Sequence, residues 1–170
     1  MSDVQLWRYT LRSQNGSGWA IFVLTSEGYF SSVSDFGSYA FVWNHHGCKD
    51  FREFLLGSEK DPHYFIGKLS PGKEYDGHST LQACKDALKE LRETDGLTAE
   101  QYDEELEALE RYDVRDRSGH GFTRWVMDSD TKVPDAGELR CERHPRNVER
   151  FVREAMARLH PLLRADLEAK

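Results

Sequence analysis

Acid, imidazole and thiol side chains crowd into SVSDFGSYAFVWNHHGCKDF, residues 32–51. Asp35 with His45 or His46 has the composition of an acid–base pair, in which a carboxylate and an imidazole trade or orient a proton. Arg52, the next residue along, would complete such a site if the three converged in one pocket. That is the enzyme reading: a small enzyme acting on a nucleotide through Asp35 and His45/His46. His45, His46 and Cys48 are also metal-ligand types, but zinc asks for two closely spaced ligand pairs converging in a tetrahedron. The remaining histidines, at 63, 78, 120, 144 and 160, supply no second pair, so no metal and no other cofactor is expected. The chain contains no G-x-S-x-G elbow, no phosphate-cradling glycine loop and no H-E-x-x-H. Asp35 in Ser34-Asp35-Phe36-Gly37 also has a turn explanation, with its carboxylate accepting local backbone N–H groups and Gly37 taking positive φ.

The elements that must position these residues follow from the periods of the hydropathy pattern. Residues 1–46 alternate with period two: VQLWRYTL sets Trp7, Tyr9 and Leu11 on one side, WAIFVL is apolar on both faces, and YFSSVS and YAFVWN follow. Asn15-Gly16, Ser26-Glu27-Gly28 and Phe36-Gly37-Ser38 punctuate the strands. From residue 49 onward the period is helical. KDFREFLLG gives a first helix. Leu81, Cys84, Leu88 and Leu91 form the stripe of a second, capped by Ser79 or Thr80. Thr98-Ala99-Glu100-Gln101 is a capping box that opens a third helix, making an αα-hairpin. Residues 113–145 give no clear pattern. From Arg146 a long helix carries Val148, Phe151, Val152, Ala155, Leu159, Leu162 and Leu163, with Pro161 expected to kink it. Residues 1–170 are thus expected to form a single α+β domain: a four-stranded antiparallel meander packed on the αα-hairpin and a long C-terminal helix.

Two surfaces are candidates for binding rather than catalysis. Between Glu93 and Asp113, nine carboxylates face one arginine, a stronger excess than the net charge of −7 over the whole chain. Glu100, Asp103, Glu104, Glu107 and Glu110 recur at helical spacing and form an acidic strip, which is either a solvated face or a lure for a basic protein surface. In the last strand, Tyr39, Phe41 and Trp43 share a side, and an uncovered aromatic face would be a candidate interface. The acid excess argues against direct nucleic-acid binding. No apolar run reaches the length of a membrane span and no signal peptide is visible. Cys48, Cys84 and Cys141 are odd in number and widely separated, as expected of reduced thiols in a cytoplasm.

The succession SDFGSYAFVW, HHG, DFREFLL, YFIGKL and YDG with Thr80 following resembles a set of small phage-encoded proteins, and the likeness continues through GLTAEQ into FVREAMARL. The resemblance implies no particular chemistry. Small soluble phage proteins include antagonists of host defence such as anti-CRISPR proteins. It therefore suggests a non-enzymatic inhibitor of a host nucleic-acid-processing defence complex, working in the cytoplasm of a bacterial host. Its partner would be a host protein or nucleoprotein complex with a basic surface. A phage assembly accessory, self-associating as a homodimer, is the other reading of this kind.

Overall fold

The computed structural model describes residues 3–13, 17–128 and 131–169. The chain divides into two compact units: residues 1–72 with 144–170, and residues 73–143 between them. The architecture is α+β, with the expected meander at the N-terminus and a long helical C-terminus.

The first unit holds strands β1 (Leu6–Leu11), β2 (Ala20–Thr25), β3 (Tyr29–Ser34) and β4 (Gly37–Val42), hydrogen-bonded in sequence order. Antiparallel register pairs Tyr9 with Phe22, Phe22 with Ser32 and Ser32 with Tyr39. The Asn15-Gly16 turn expected between β1 and β2 lies outside the described residues. At the β2–β3 turn Gly28 has φ of 89°, and a Cβ there would stand 2.2 Å from the Trp43 carbonyl oxygen. Only glycine allows the close approach through which the Trp43 amide donates to the Gly28 carbonyl at 2.9 Å.

One face of the meander is covered by α1 (Phe51–Leu56), α2 (Pro62–Leu69) and the C-terminal helix. That helix runs as α6 (Arg146–Arg150), a π-helical stretch (Phe151–Met156) and α7 (Ala157–Glu168). Pro161 lies inside α7 and does not end it. Phe22, Phe30, Trp43, Phe51, Phe151, Leu159 and Leu163 are buried together. Phe151 sits at the centre, with its ring centroid 4.4 Å from Tyr39 and 5.9 Å from Phe22. Burying each such side chain contributes roughly 1.5–3 kcal/mol.

The second unit has its own core. Helices α3 (Gly77–Glu93) and α4 (Ala99–Arg111) form the αα-hairpin, joined by α5 (His120–Asp128). Cys84, Leu88, Leu109, Phe122 and Trp125 are buried there. The capping box is present, with Gln101 N–H donating to Thr98 Oγ1 and Thr98 N–H to Gln101 Oε1. Helix α3 starts earlier than Ser79 or Thr80 suggested: Asp76 is the cap and accepts from the Ser79 amide at 3.2 Å. Thr80, fully buried, instead accepts from the Cys141 amide at 2.9 Å. The unit opens and closes on a two-residue ladder, β5 (Glu74–Tyr75) against β6 (Glu142–Arg143), extended by the Asp76 amide donating to the Cys141 carbonyl.

Candidate functional site

The structure separates the residues of the enzyme reading. Asp35 precedes β4 and the two histidines follow it, so they stand at opposite ends of a six-residue strand, about 20 Å of chain apart. Asp35 Oδ2 accepts from the Gly18 amide at 2.6 Å and so ties the β3–β4 turn to the β1–β2 connection. The turn itself is organised by Ser34, whose Oγ accepts from the Phe36 amide and donates to the Gly37 carbonyl. His45 is exposed, and the ring of His46 packs 5.2 Å from Phe51. The sequence argument that adjacent strands bring Asp35 to a histidine is therefore corrected: one extended strand, β4, runs from the Asp35 turn to the histidines and holds them apart.

Arg52 is 2% exposed and has a structural post. It donates through Nε and NH2 to Asp50 at 3.0 and 2.8 Å and stacks its guanidinium 4.4 Å over the Trp7 ring. NH1 lies 3.6 Å from Asp166, which also accepts the Tyr9 hydroxyl at 2.8 Å. The pairing with Asp50 raises the Arg52 pKa, while burial, reinforced by Asp166, pushes the Tyr9 phenol up to about 12. The network welds β1, α1 and α7; a buried guanidinium held this closely by carboxylates is engaged on every side.

The aromatic side of β4 is also corrected. Tyr39 and Trp43 are 8% and 5% exposed and Phe41 is half-buried against them, because this is the side the helices cover. The uncovered side is the other one. Register stacks Thr10, Ile21, Val33 and Ser38 in one row and Arg8, Val23, Ser31 and Ala40 in the next. Leu6 with Thr25 and Tyr29 with Val42 make the third. Among these twelve positions Arg8 is the only charge, in a chain with thirty carboxylates. Leu6, Tyr29, Val33 and Val42 belong to the few large apolar side chains left exposed, and Val4 and Trp19 extend the same alternation beyond β1 and β2. Leu6 is 62% exposed and Val33 49%. An apolar patch of this continuity is what interaction surfaces carry. Part of the signal was present in the strands themselves, since WAIFVL is apolar on both faces and VQLWRYTL carries Val4 and Leu6 on the side opposite Trp7, Tyr9 and Leu11.

On α4 the acidic strip stands as the spacing predicts. Glu100, Asp103, Glu104, Glu107 and Glu110 are exposed, and among the described residues none is in an ion pair. Glu105, in the same run, is different: it is 7% exposed and accepts from Thr131 Oγ1 at 2.9 Å and the Lys132 amide at 2.7 Å. It anchors the segment after α5, whereas its neighbours keep their charge for solvent or a partner. Glu104 and Glu107 border a hollow of about 550 Å³ that also contains Gln101, Arg111 and Asp128.

Among the described residues no helix is long and apolar enough to cross a membrane. A protein-family model described as a phage family, Phage_phiTE_072, matches residues 2–165. No curated protein and no solved structure matches the chain.

Proposed function

We propose, since the chain belongs to this phage family, that it is a phage-encoded binding protein that engages a host complex through the uncovered face of its meander. The observation that carries the reading is the concentration of exposed apolar side chains, Leu6, Tyr29, Val33 and Val42, on one nearly uncharged sheet face. Leaving that face in water forfeits the gain from burial, so its composition makes sense when a partner closes it. The exposed carboxylates of α4 select the partner's character: a host protein or nucleoprotein complex with a basic surface, in the cytoplasm of the infected bacterium. A nucleic-acid-processing defence complex has such a surface, and inhibition of one is the activity this arrangement would serve.

The test is capture from a host lysate followed by binding to the purified partner. Val33→Lys with Val42→Lys should abolish binding while the chain remains folded. Glu100→Lys, Glu104→Lys and Glu107→Lys together should weaken it more at low salt than at high, because exposed charges are screened over about 8–10 Å. Binding unchanged by the valine pair sinks the proposal. A concentration-dependent dimer that dissolves on the same substitutions would show that a second copy closes the face, the outcome expected of an assembly accessory.

A further inference from the structure

Ser58 and Glu59 lie in the 3₁₀ turn Gly57–Glu59 that follows α1, and His160 lies in α7. Ser58 Oγ is 2.7 Å from His160 Nε2, and His160 Nδ1 is 2.9 Å from Glu59 Oε1. Arg164 holds the other oxygen of Glu59 at 2.5 Å. A hydroxyl, an imidazole and a carboxylate are thus in hydrogen-bond reach in the order that activates a serine nucleophile. The bond from Arg164 keeps the Glu59 carboxyl below its usual range, so it accepts the proton on Nδ1. That tautomer leaves the Nε2 lone pair facing the Ser58 hydroxyl. Burial lowers the His160 pKa, which keeps the ring neutral and able to take a proton. The Ser58 hydroxyl has a second acceptor, the Leu55 carbonyl at 2.9 Å, and the contact to Nε2 is the shorter.

The three side chains line a cavity of about 290 Å³ together with Pro62, Val152, Arg153 and Ala157. The π-helical stretch contributes Val152 and Arg153 to its wall; such widenings of an α-helix often coincide with functional sites. Arg153 is exposed, and among the described residues it forms no ion pair. Apolar walls beside a free guanidinium suit a short acyl chain whose carbonyl oxygen gains negative charge during reaction.

We propose that Ser58, His160 and Glu59 form a hydrolytic centre for small carboxylic esters. Ser58 Oγ forms a bond to the ester carbonyl carbon as its proton passes to His160 Nε2. The carbon–oxygen bond to the leaving alcohol then breaks, and His160 returns the proton to that alcohol. Water repeats the sequence on the acyl-serine, releasing the carboxylic acid and restoring Ser58. No residue of this centre lies on the open sheet face or on α4, so its failure and that of the binding proposal are separable.

A fluorophosphonate probe tests it on the intact chain: a P–O bond forms at Ser58 and the P–F bond breaks, with fluoride leaving. Peptide mapping should place one adduct on Ser58, formed faster as pH rises and His160 loses its proton. The groups facing that ring are Ser58, Glu59 and Arg164, with Arg153 also on the cavity wall. His160→Gln should slow labelling roughly a hundredfold, and wild-type hydrolysis of p-nitrophenyl butyrate should vanish in Ser58→Ala. Wild-type protein that takes no adduct at Ser58, or that shows no ester hydrolysis above Ser58→Ala, overturns the proposal. So does labelling of folded His160→Gln at the wild-type rate, since the serine would then be reachable without being activated. If His160→Gln does not fold, a wild-type labelling rate flat between pH 5 and 8 overturns it equally.

Discussion

The two faces of the meander are made by the same four strands and have opposite fates. One carries Phe22, Phe30, Tyr39 and Trp43 into a core sealed by three helical elements; the other presents Leu6, Val33 and Val42 to solvent. The difference teaches that size and polarity together divide the faces: the covered side concentrates the aromatic rings, while the open side mixes aliphatic residues with Arg8, Thr10, Thr25, Ser31 and Ser38. Aromatic rings fill the thickness between sheet and helix, where Phe30 meets Phe151 edge to face and Tyr39 and Phe22 lie tilted against it. The open side exposes Leu6, Tyr29, Val33 and Val42 with Arg8 as its one charge, a composition well suited to being covered.

That contrast can be broken most severely from the covered side. Phe22→Ala empties a site with no solvent exposure between Phe30 and Phe151. It should cost roughly 3–5 kcal/mol in denaturant unfolding. A loss below 1 kcal/mol would mean the covered face is not the core. Acid should act next, through the helices that provide the cover. His160 has a native pKa below its unfolded value of about 6.5 because burial disfavours the charged ring. The unfolded chain therefore binds the extra proton first. Stability from this residue is complete above about pH 6.5 and declines as pH falls through the lowered native value. Thermal unfolding at pH 7.5, 6 and 5 should show the decline, and His160→Gln should flatten it. The smallest effect belongs to the open side: Val33→Lys with Val42→Lys should change stability by about 0.5 kcal/mol or less per site. A large loss there would mean that the face is already closed within the folded chain.

Much of this was legible in the sequence. The meander, the capping box at Thr98 and Gln101, and the α4 strip all follow from local chemistry, because strands, caps and helical faces are set by neighbours a few residues away. What periodicity records is that a face is buried, and it is silent about the burying partner. Tyr39, Phe41 and Trp43 therefore read as one face of β4, and alternation alone does not say that the helices lie on that side. The stripes of α3 and α4 likewise gave no sign that they would close a core of their own. The Ser58–His160 contact spans more than a hundred residues and follows no spacing rule; His160 reads as one polar position beside Leu159 in a helical stripe. Asp35 and Arg52 illustrate the same limit in reverse. Both looked functional by type, and both are spent on structure, one tying two turns together and the other tying α7 to β1 and α1.

The two-residue ladder between β5 and β6 has a consequence for how such a chain could have been assembled. It brings the first and last residues of the second unit side by side, with Arg143 Nε 3.2 Å from Glu74 Oε1. A segment whose ends already meet can be spliced into a surface loop of a host fold at little cost in loop closure, since that cost rises only slowly with length. Residues 73–143 therefore have the form of a cassette carried between α2 and α6. The acidic helix belongs wholly to that segment, whereas the meander, its aromatic core and its open face belong to the other unit.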